Sequence, residues 1–184
     1  VLVLPWHDPA RLGKMVATLD QLSGGRVDLG VGVAVTRDEF ENLGVDFASR
    51  GRRTDEILDA LVALWTQDVP QFTGEFYQFS GLRFSPKPRQ KPHPPILIGG
   101  SSLAARGRVA RVGNGWHTLR QSPRQFAEGR ADILQRVAAA GRDPGGLHFS
   151  IALPLRFSGE APSAPVRDRT ALTGTSDDMA ATLR

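Results

Sequence analysis

Cysteine is absent from the 184-residue sequence, and so is any long hydrophobic run. Without cysteine the chain has no disulfide bonds and no thiolate metal sites, which fits a reducing compartment. No apolar stretch is long enough to span a bilayer and no signal peptide is visible, so we expect a cytoplasmic protein with no membrane partner. The hydrophobic content of 40% is ordinary for a globular chain with a real core.

Lysine is scarce: of the 23 basic residues, only Lys14, Lys87 and Lys91 are lysines, and the others are arginines. The arginines are spread along the chain and mixed with acidic residues, whereas a nucleic-acid reader concentrates its basic residues on one face. With a formal net charge of only +4, we expect a small-molecule substrate and no nucleic-acid partner. The four histidines lack the spacing of metal ligands, so no metal is expected.

Apolar runs and helical periodicities alternate along the chain. Strands are predicted at residues 1–4, 26–33, 96–98, 115–119 and 147–155. Helices are predicted from the Asp8 cap to Gly24, over 37–43, from Thr54 onward, over 102–112 and 123–140, and from Ser176 or Asp177. Residues 159–170 are expected to form a loop. Such alternation indicates a parallel sheet covered by helices, in which a doubly wound sheet and a barrel are equally allowed.

Residues 68–95 interrupt this alternation with prolines and with aromatic and polar residues in turn. That pattern predicts a β-hairpin or an extended excursion. No repeat or linker divides the sequence, so we expect one domain over residues 1–184 with an insertion at 68–95.

A short apolar strand at 96–98 is followed by Gly99, Gly100, Ser101 and Ser102 and then by a helical segment. The two glycines let the backbone come close to a ligand, and a serine can cap the helix. Because the N–H groups at a helix start attract anions, this segment predicts a phosphate cradle. An ordinary strand-to-helix turn with a serine cap is the alternative interpretation.

Four segments, in this order, resemble the bacterial luciferase-like monooxygenase family. They are LDQLSGGRVDLGVGV from Leu19, FASRGRRTDE from Phe47, FSPKPRQKPHPPILIGGS from Phe84, and GNGWH from Gly113. The similarity covers about residues 1–157, and the 68–95 excursion resembles the insertion that the family carries between barrel strands. The arginine-rich, lysine-poor sequence looks most similar to the branch that uses the deazaflavin coenzyme F-420, whereas FMN is used elsewhere in the family.

The resemblance implies a (β/α)8 TIM barrel of luciferase-like type that is incomplete in this sequence. By the order of the motifs, barrel strands 3–7 are present and strands 1, 2 and 8 are missing. A barrel with open sheet edges invites pairing with another chain, so a homodimer is possible.

The resemblance also implies which residues bind the cofactor, F-420 as first choice or FMN. The phosphate would lie at the glycine–serine loop and the ring near the ends of strands 3 and 4; these positions are Val1, Leu2, Leu4, Gly32, Val33, Gly99, Gly100, Ser101 and Ser102. Gly30 is a further candidate, and Asp38 could bind a cofactor hydroxyl or cap a helix. Two of these residues also have a structural interpretation without a cofactor contact. Leu4 could be a core leucine, and Val1 could belong to a frayed terminus.

Catalytic residues are left unassigned, with His117 and His7 as candidates because each follows or ends a strand. Trp116 is expected in the core, and Arg50, Arg52 and Arg53 are expected to be a solvated helix start.

The function that the resemblance implies is that of a flavin- or deazaflavin-dependent oxidoreductase or monooxygenase. The alternatives are a non-catalytic flavin-binding or inert fragment that assembles through open edges, and an unrelated phosphate-binding barrel acting on sugar phosphates.

Overall fold

A computed structural model describes residues 1–157 and 172–174 of the chain. Strands and helices alternate, and the chain divides into two compact units, Val1–Gly99 and Gly100–Arg184. The predicted loop at 159–170 and the predicted helix from Ser176 or Asp177 lie outside the described residues. Among the described helices, none is both long and apolar enough to cross a membrane.

The first unit contains a three-stranded parallel sheet made of β1 (Leu2–Val3), β2 (Leu29–Gly32) and β5 (Ile96–Gly99). Strand β2 lies in the middle, with Leu2 opposite Val31 on one side and Leu29 opposite Ile96 on the other. Alternate residues of β2 and β5 are buried, as expected for strands that pack one face on helices. The parallel sheet predicted from the sequence is therefore confirmed here, although β1 and β2 are shorter than predicted.

Helix α1 (Pro9–Ser23) begins and ends where the sequence predicts. The Asp8 carboxylate accepts the Arg11 backbone N–H at 2.9 Å, and Gly24 ends the helix in the left-handed conformation that glycine adopts without strain. Helix α1 packs at Gly13 on the helix over Arg50–Thr66, α3, because the Gly13 carbonyl accepts the Trp65 indole N–H at 3.0 Å. A Cβ at Gly13 would lie 3.1 Å from Leu64, so the glycine allows this close helix contact.

Helix α3 (Arg50–Thr66) begins four residues earlier than Thr54, where the sequence predicted its start. A 3-10 turn at Phe47–Ser49 precedes it, and the Asp46 carboxylate caps that turn by accepting the N–H groups of Ala48 and Ser49. These two hydrogen bonds hold the pKa of Asp46 below its ordinary value, with a contribution from the Ser49 hydroxyl and from nearby Arg53. The Thr54 hydroxyl, by contrast, donates to the Arg50 carbonyl inside the helix, so the prediction of Thr54 as the first residue is wrong.

The segment 68–95, predicted as a β-hairpin or an extended excursion, contains a hairpin in which β3 (Phe72–Thr73) is antiparallel to β4 (Gln78–Phe79). The hairpin turn lies against the first turns of α3, because the Glu56 carboxylate accepts three backbone N–H groups of the turn. They belong to Glu75, Phe76 and Tyr77, at 2.7, 2.9 and 3.3 Å. A Cβ at Gly74 would overlap this carboxylate, so the turn requires glycine at that position.

The second unit contains a parallel pair, β6 (Gly115–Leu119) and β7 (His148–Ala152), with helices α4 (Leu103–Arg111) and α5 (Pro123–Ala139). Strand β6 has the predicted bounds. Trp116 is fully buried, as predicted, and stacks on Phe126 of α5 with ring centroids 5.3 Å apart. A Cβ at Gly129 would lie only 2.6 Å from the Trp116 ring, so glycine is needed where α5 crosses it.

The strand predicted at 147–155 is divided in two. Strand β7 ends at Ala152, and a separate strand β8 (Leu155–Phe157) pairs in parallel with β9 (Leu172–Gly174). Two residues outside any strand separate β7 from β8, and the second of them is Pro154, which has no backbone N–H for a ladder.

Candidate functional site

Three glycines near the carboxyl ends of β2 and β5 surround the side chain of Val1. A Cβ at Gly32 would lie 2.9 Å from Val1 Cγ1, and a Cβ at Gly99 would lie 3.1 Å from the same atom. Gly30 is more distant, because its Cβ would lie 3.8 Å from the Val1 backbone. The Val1 side chain thus lies against the glycine backbone of β2 and β5, and Val1 is 68% exposed.

The other predicted ring contacts of this unit are placed differently. Leu2 lies in β1 and is half-buried, and Val33 is a half-buried residue directly after β2. Leu4 is fully buried in a 3-10 turn at Leu4–Trp6, which makes it a core residue in this structure. Asp38 lies in the first turn of α2 (Arg37–Asn42), and Thr36 holds the cap position, so the capping role suggested for Asp38 is wrong.

Gly100 opens the second unit with φ at +111°, a conformation that essentially only glycine adopts without strain. Both of its backbone polar groups are occupied. Its N–H donates to the His117 carbonyl at 3.0 Å, and its carbonyl accepts the Trp116 indole N–H at 2.6 Å. Gly100 therefore anchors the loop to β6, and its N–H is not available to bind an anion.

Donors are available from Ser101 onward. Ser102 caps α4 by accepting the Ala105 N–H at 3.2 Å, whereas the N–H groups of Leu103 and Ala104 have no partner within the helix. Residues 101 to 104 are exposed, and the first turn of α4 holds no acidic residue. Peptide N–H groups, two hydroxyls and the positive end of the helix dipole suit an anion such as a phosphate.

Helix α4 is fixed at its other end by the Arg142 guanidinium. It donates to the carbonyls of Val109, Ala110 and Gly113 at 2.8, 3.0 and 2.7 Å. Burial lowers the pKa of Arg142 from its ordinary value, as expected for a cation removed from water. The helix thus has a satisfied carboxyl end and an open amino end.

Helix α4 is also joined to α5 by an ion-pair network around Asp132. The carboxylate lies 2.9 Å from Arg136 Nε and 3.3 Å from Arg106 Nη1. The hydrogen bond from Arg136 is the main cause that holds the pKa of Asp132 below its ordinary value, and Arg106 adds to it. This network fixes the helix that carries the serine loop.

The histidines lie in separate settings. His117 lies in β6 with Nδ1 at 2.9 Å from the Ser150 hydroxyl, and His93 Nδ1 lies at 2.9 Å from the Pro94 carbonyl. His7 is half-buried after the first 3-10 turn, and His148 is exposed in β7. In the described part of the chain, no group of histidine and acidic side chains could hold a metal ion.

Several features were missed from the sequence. Ala34 and Arg120, which follow β2 and β6, have φ of +57° and +51°, a left-handed conformation that costs a non-glycine residue free energy. No pattern in the sequence marks either residue. The predicted solvated cluster is also wrong for Arg50 and Arg53, because their guanidinium groups lie over the rings of Phe47 at 3.7 Å and Phe76 at 4.3 Å.

Comparison with known proteins gives one family. The sequence profile of the luciferase-like monooxygenases matches residues 1–176. An FMNH2-dependent dimethylsulfone monooxygenase from Pseudomonas putida is 39% identical over 144 residues, which is 77% of this chain and 39% of the relative. The chain therefore spans about two fifths of the length of this curated relative.

Solved structures of a monooxygenase and of an F-420-dependent dehydrogenase have a fold similar to that of this chain. A monooxygenase from Streptomyces bottropensis superimposes with a TM-score of 0.82 at 27% identity, covering 99% of this chain and 64% of that one. An F-420-dependent secondary alcohol dehydrogenase in complex with an F-420–acetone adduct gives a TM-score of 0.76 at 20% identity, covering 87% and 49%. At that identity the second likeness concerns the fold alone.

Proposed function

The chain belongs to the luciferase-like monooxygenase family, and on this premise we propose that it is part of a flavin- or deazaflavin-dependent oxidoreductase acting on a small organic substrate. The resemblance to the F-420-using branch makes coenzyme F-420 our first choice, whereas the relative with 39% identity is named as FMNH2-dependent. Both are therefore ligands to be tested. When bound, such a cofactor supplies hydride transfer or, as a reduced flavin, the activation of oxygen.

The start of α4 is the single observation that carries this proposal. Ser101, Ser102 and the free N–H groups of the first helical turn are exposed, without an acidic neighbour in that turn. We assign the cofactor phosphate to these donors, with Gly99 and Gly100 shaping the loop that leads to them. Gly100 serves by its φ of +111° and its two hydrogen bonds to β6, and not as a donor to the phosphate.

For the ring, we propose a contact within the first unit alone, at the glycine backbone near the ends of β2 and β5. The Val1 side chain lies against this backbone, since Cβ atoms at Gly32 and Gly99 would lie 2.9 and 3.1 Å from Val1 Cγ1, and Leu2 pairs with Val31 of β2. Val33 continues from the end of β2, while the buried Leu4 supports this region from the core. The task of these residues is to bind and orient the ring and to keep water from one of its faces.

The proposal can be tested at Ser102 with two variants that differ only in charge. Aspartate and asparagine both cap helices as well as serine does, so Ser102→Asp and Ser102→Asn should fold equally well. A carboxylate at this position repels a phosphate, so Ser102→Asp should weaken FMN or F-420 binding by about tenfold or more. Ser102→Asn should bind within about threefold of the original chain.

Fluorescence titration with FMN and with F-420 measures the dissociation constants, and circular dichroism checks the fold. Binding that is equal in the two variants would place the phosphate elsewhere. Failure of a folded chain to bind either cofactor would contradict the proposed function. Binding without turnover would favour the non-catalytic alternative, when a small organic substrate is supplied either with reduced FMN and oxygen or with oxidised F-420.

Four statements stay predictions from the sequence. They are the cytoplasmic location, the homodimer, the absence of some barrel strands, and a single domain over residues 1–184. A small-molecule substrate without a nucleic-acid partner is likewise proposed on composition alone. Sedimentation of the purified chain would check the homodimer.

A further inference from the structure

Strands β6 and β7 present two faces of different character. One face packs on helices, because Trp116 and Thr118 are almost fully buried and Phe149 meets the Trp116 ring edge-on at 6.5 Å. Since side chains alternate along a strand, His117 belongs to the opposite face of β6. Its cross-strand partner there is Ser150 of β7.

This opposite face is more polar than expected. In a (β/α)8 barrel the face turned away from the helices lines the interior, where branched apolar side chains dominate. Here an imidazole and a hydroxyl occupy the middle of the two strands, with a half-buried His117 and an exposed Ser150. Polar pairs that replace core residues inside a barrel are candidates for ligand contacts.

The pair is also oriented. His117 Nδ1 lies 2.9 Å from Ser150 Oγ, which fixes the plane of the ring and occupies one of its two nitrogens. Nε2 has no hydrogen-bond partner among the described residues. The only other titratable side chain placed on this face of β7 is His148, which lies opposite Gly115.

The backbone of His117 is hydrogen-bonded to the loop that leads to Ser101 and Ser102. The His117 carbonyl accepts the Gly100 N–H at 3.0 Å, directly before Ser101 and Ser102. A ligand held by its phosphate at that loop is therefore bound next to the strand that carries His117.

From these contacts, and resting on the proposed function, we propose that His117 is a ligand-contacting residue of the cofactor site. Its Nε2 hydrogen-bonds a polar atom of the bound flavin or deazaflavin, and Ser150 is the positioning residue that holds Nδ1. This assigns a role to both residues that the phosphate loop alone does not require.

Nuclear magnetic resonance of the full chain labelled with 15N-histidine tests the proposal without measuring activity. Two-bond 1H–15N spectra identify the tautomer of each ring, and His117→Asn assigns the signals. When FMN or F-420 is added to saturation, we expect the Nε2 signal of His117 to shift and that of His148 to stay. Loss of one hydrogen bond should weaken binding by about three- to tenfold in His117→Phe.

The two strand partners supply the controls. Ser150→Ala should release the ring, so that its signals show a mixture of tautomers and binding weakens by about threefold. Ser150→Thr keeps a hydroxyl and should restore the single tautomer and the affinity, which a purely structural role of the side chain does not explain. His148→Asn, on the same face of β7, should bind like the original chain.

Two failures are distinguishable. If a cofactor binds but the His117 signals and the affinities of the variants do not change, the role of His117 is wrong while the proposed function stands. If the folded chain binds neither cofactor, the proposed function fails and this inference fails with it. Circular dichroism of each variant separates either outcome from misfolding.

Discussion

Helices α4 and α5 begin in nearly the same way and differ in what their first turns leave free. Both are capped by serine, Ser102 with φ −68° and ψ 158°, and Ser122 with φ −67° and ψ 158°. At α5, Pro123 removes one N–H group, and Gln125 completes a capping box by reaching back to the Ser122 N–H at 3.0 Å. At α4 neither device is present, so its amino end is open.

A serine cap therefore does not by itself distinguish a structural turn from an anion site. The residues that follow the cap decide it, since proline and glutamine close one helix start and leucine and alanine leave the other exposed. Ser122 is 6% exposed, whereas Ser102 is exposed together with the turn that follows it. The two starts therefore serve as matched references for each other.

The largest expected effect concerns the interior glycine of α5. In Gly129→Ala the new Cβ would lie 2.6 Å from the buried Trp116 ring, so the ring or the helix has to shift. We expect the free energy of unfolding to fall by about 1–3 kcal/mol, as for other overpacked cores. Denaturant unfolding followed by tryptophan fluorescence measures it, and unchanged stability would show that Trp116 moves freely.

The next effect contrasts the two caps. Ser122→Ala removes a buried cap and its capping box, so it should lower the free energy of unfolding by about 1–2 kcal/mol. Ser102→Ala removes an exposed cap without a box and should cost about half as much. The same unfolding experiment compares them, and a larger loss at Ser102 would contradict the distinction between a closed and an open start.

A smaller effect of opposite sign is expected at the interior glycine of α4. Apart from the neighbouring residues and the backbone of α4 itself, no described atom lies within 4 Å of where a Cβ at Gly107 would be, so Gly107→Ala meets no obstacle. Alanine favours a helix over glycine by about 0.5–1 kcal/mol, and the chain should gain about that stability. The matched control is Gly129→Ala, and a loss of stability in both variants would mean that neither glycine site is open.

The smallest effect is the pH dependence of the link between α4 and α5. Because Arg136 and Arg106 hold the folded pKa of Asp132 below 3.8, its ionised form stabilises the fold above that pH. The contribution is lost as the pH falls through the folded pKa. The original chain should therefore be slightly more stable than Asp132→Asn at neutral pH, with the difference shrinking between about pH 5 and pH 2. A difference that stays constant with pH would assign it to packing.

Elements with local signals were predicted well from the sequence. Helix α1 could be bounded because Asp8, Pro9 and Gly24 are cap and terminator residues, and β6 because glycine and apolar residues mark its limits. The start of α3 was misplaced, since Asp46 caps a 3-10 turn that no helical periodicity reveals. Helix boundaries depend on such individual hydrogen bonds more than on the apolar pattern.

For the candidate site, the sequence predicts the residues of the loop but not their hydrogen bonds. The sequence of Gly99 to Ser102 marks a strand-to-helix turn, but it does not show that the Gly100 N–H is already paired with the His117 carbonyl. That bond joins residues 17 positions apart, and the Glu56 contacts with the hairpin turn span about 20. Contacts over such distances depend on the fold as a whole and leave no local pattern.

The Arg142 guanidinium gives α4 a thermodynamic asymmetry. Its hydrogen bonds satisfy carbonyl groups at the carboxyl end of the helix, so a ligand at the amino end would add partners where the first turn lacks them. By linkage, a ligand present at about 100 times its dissociation constant adds about 2.7 kcal/mol to the stability of the folded state. The melting temperature of the chain should therefore rise with ligand concentration, and this rise should be smaller in Ser102→Asp than in Ser102→Asn.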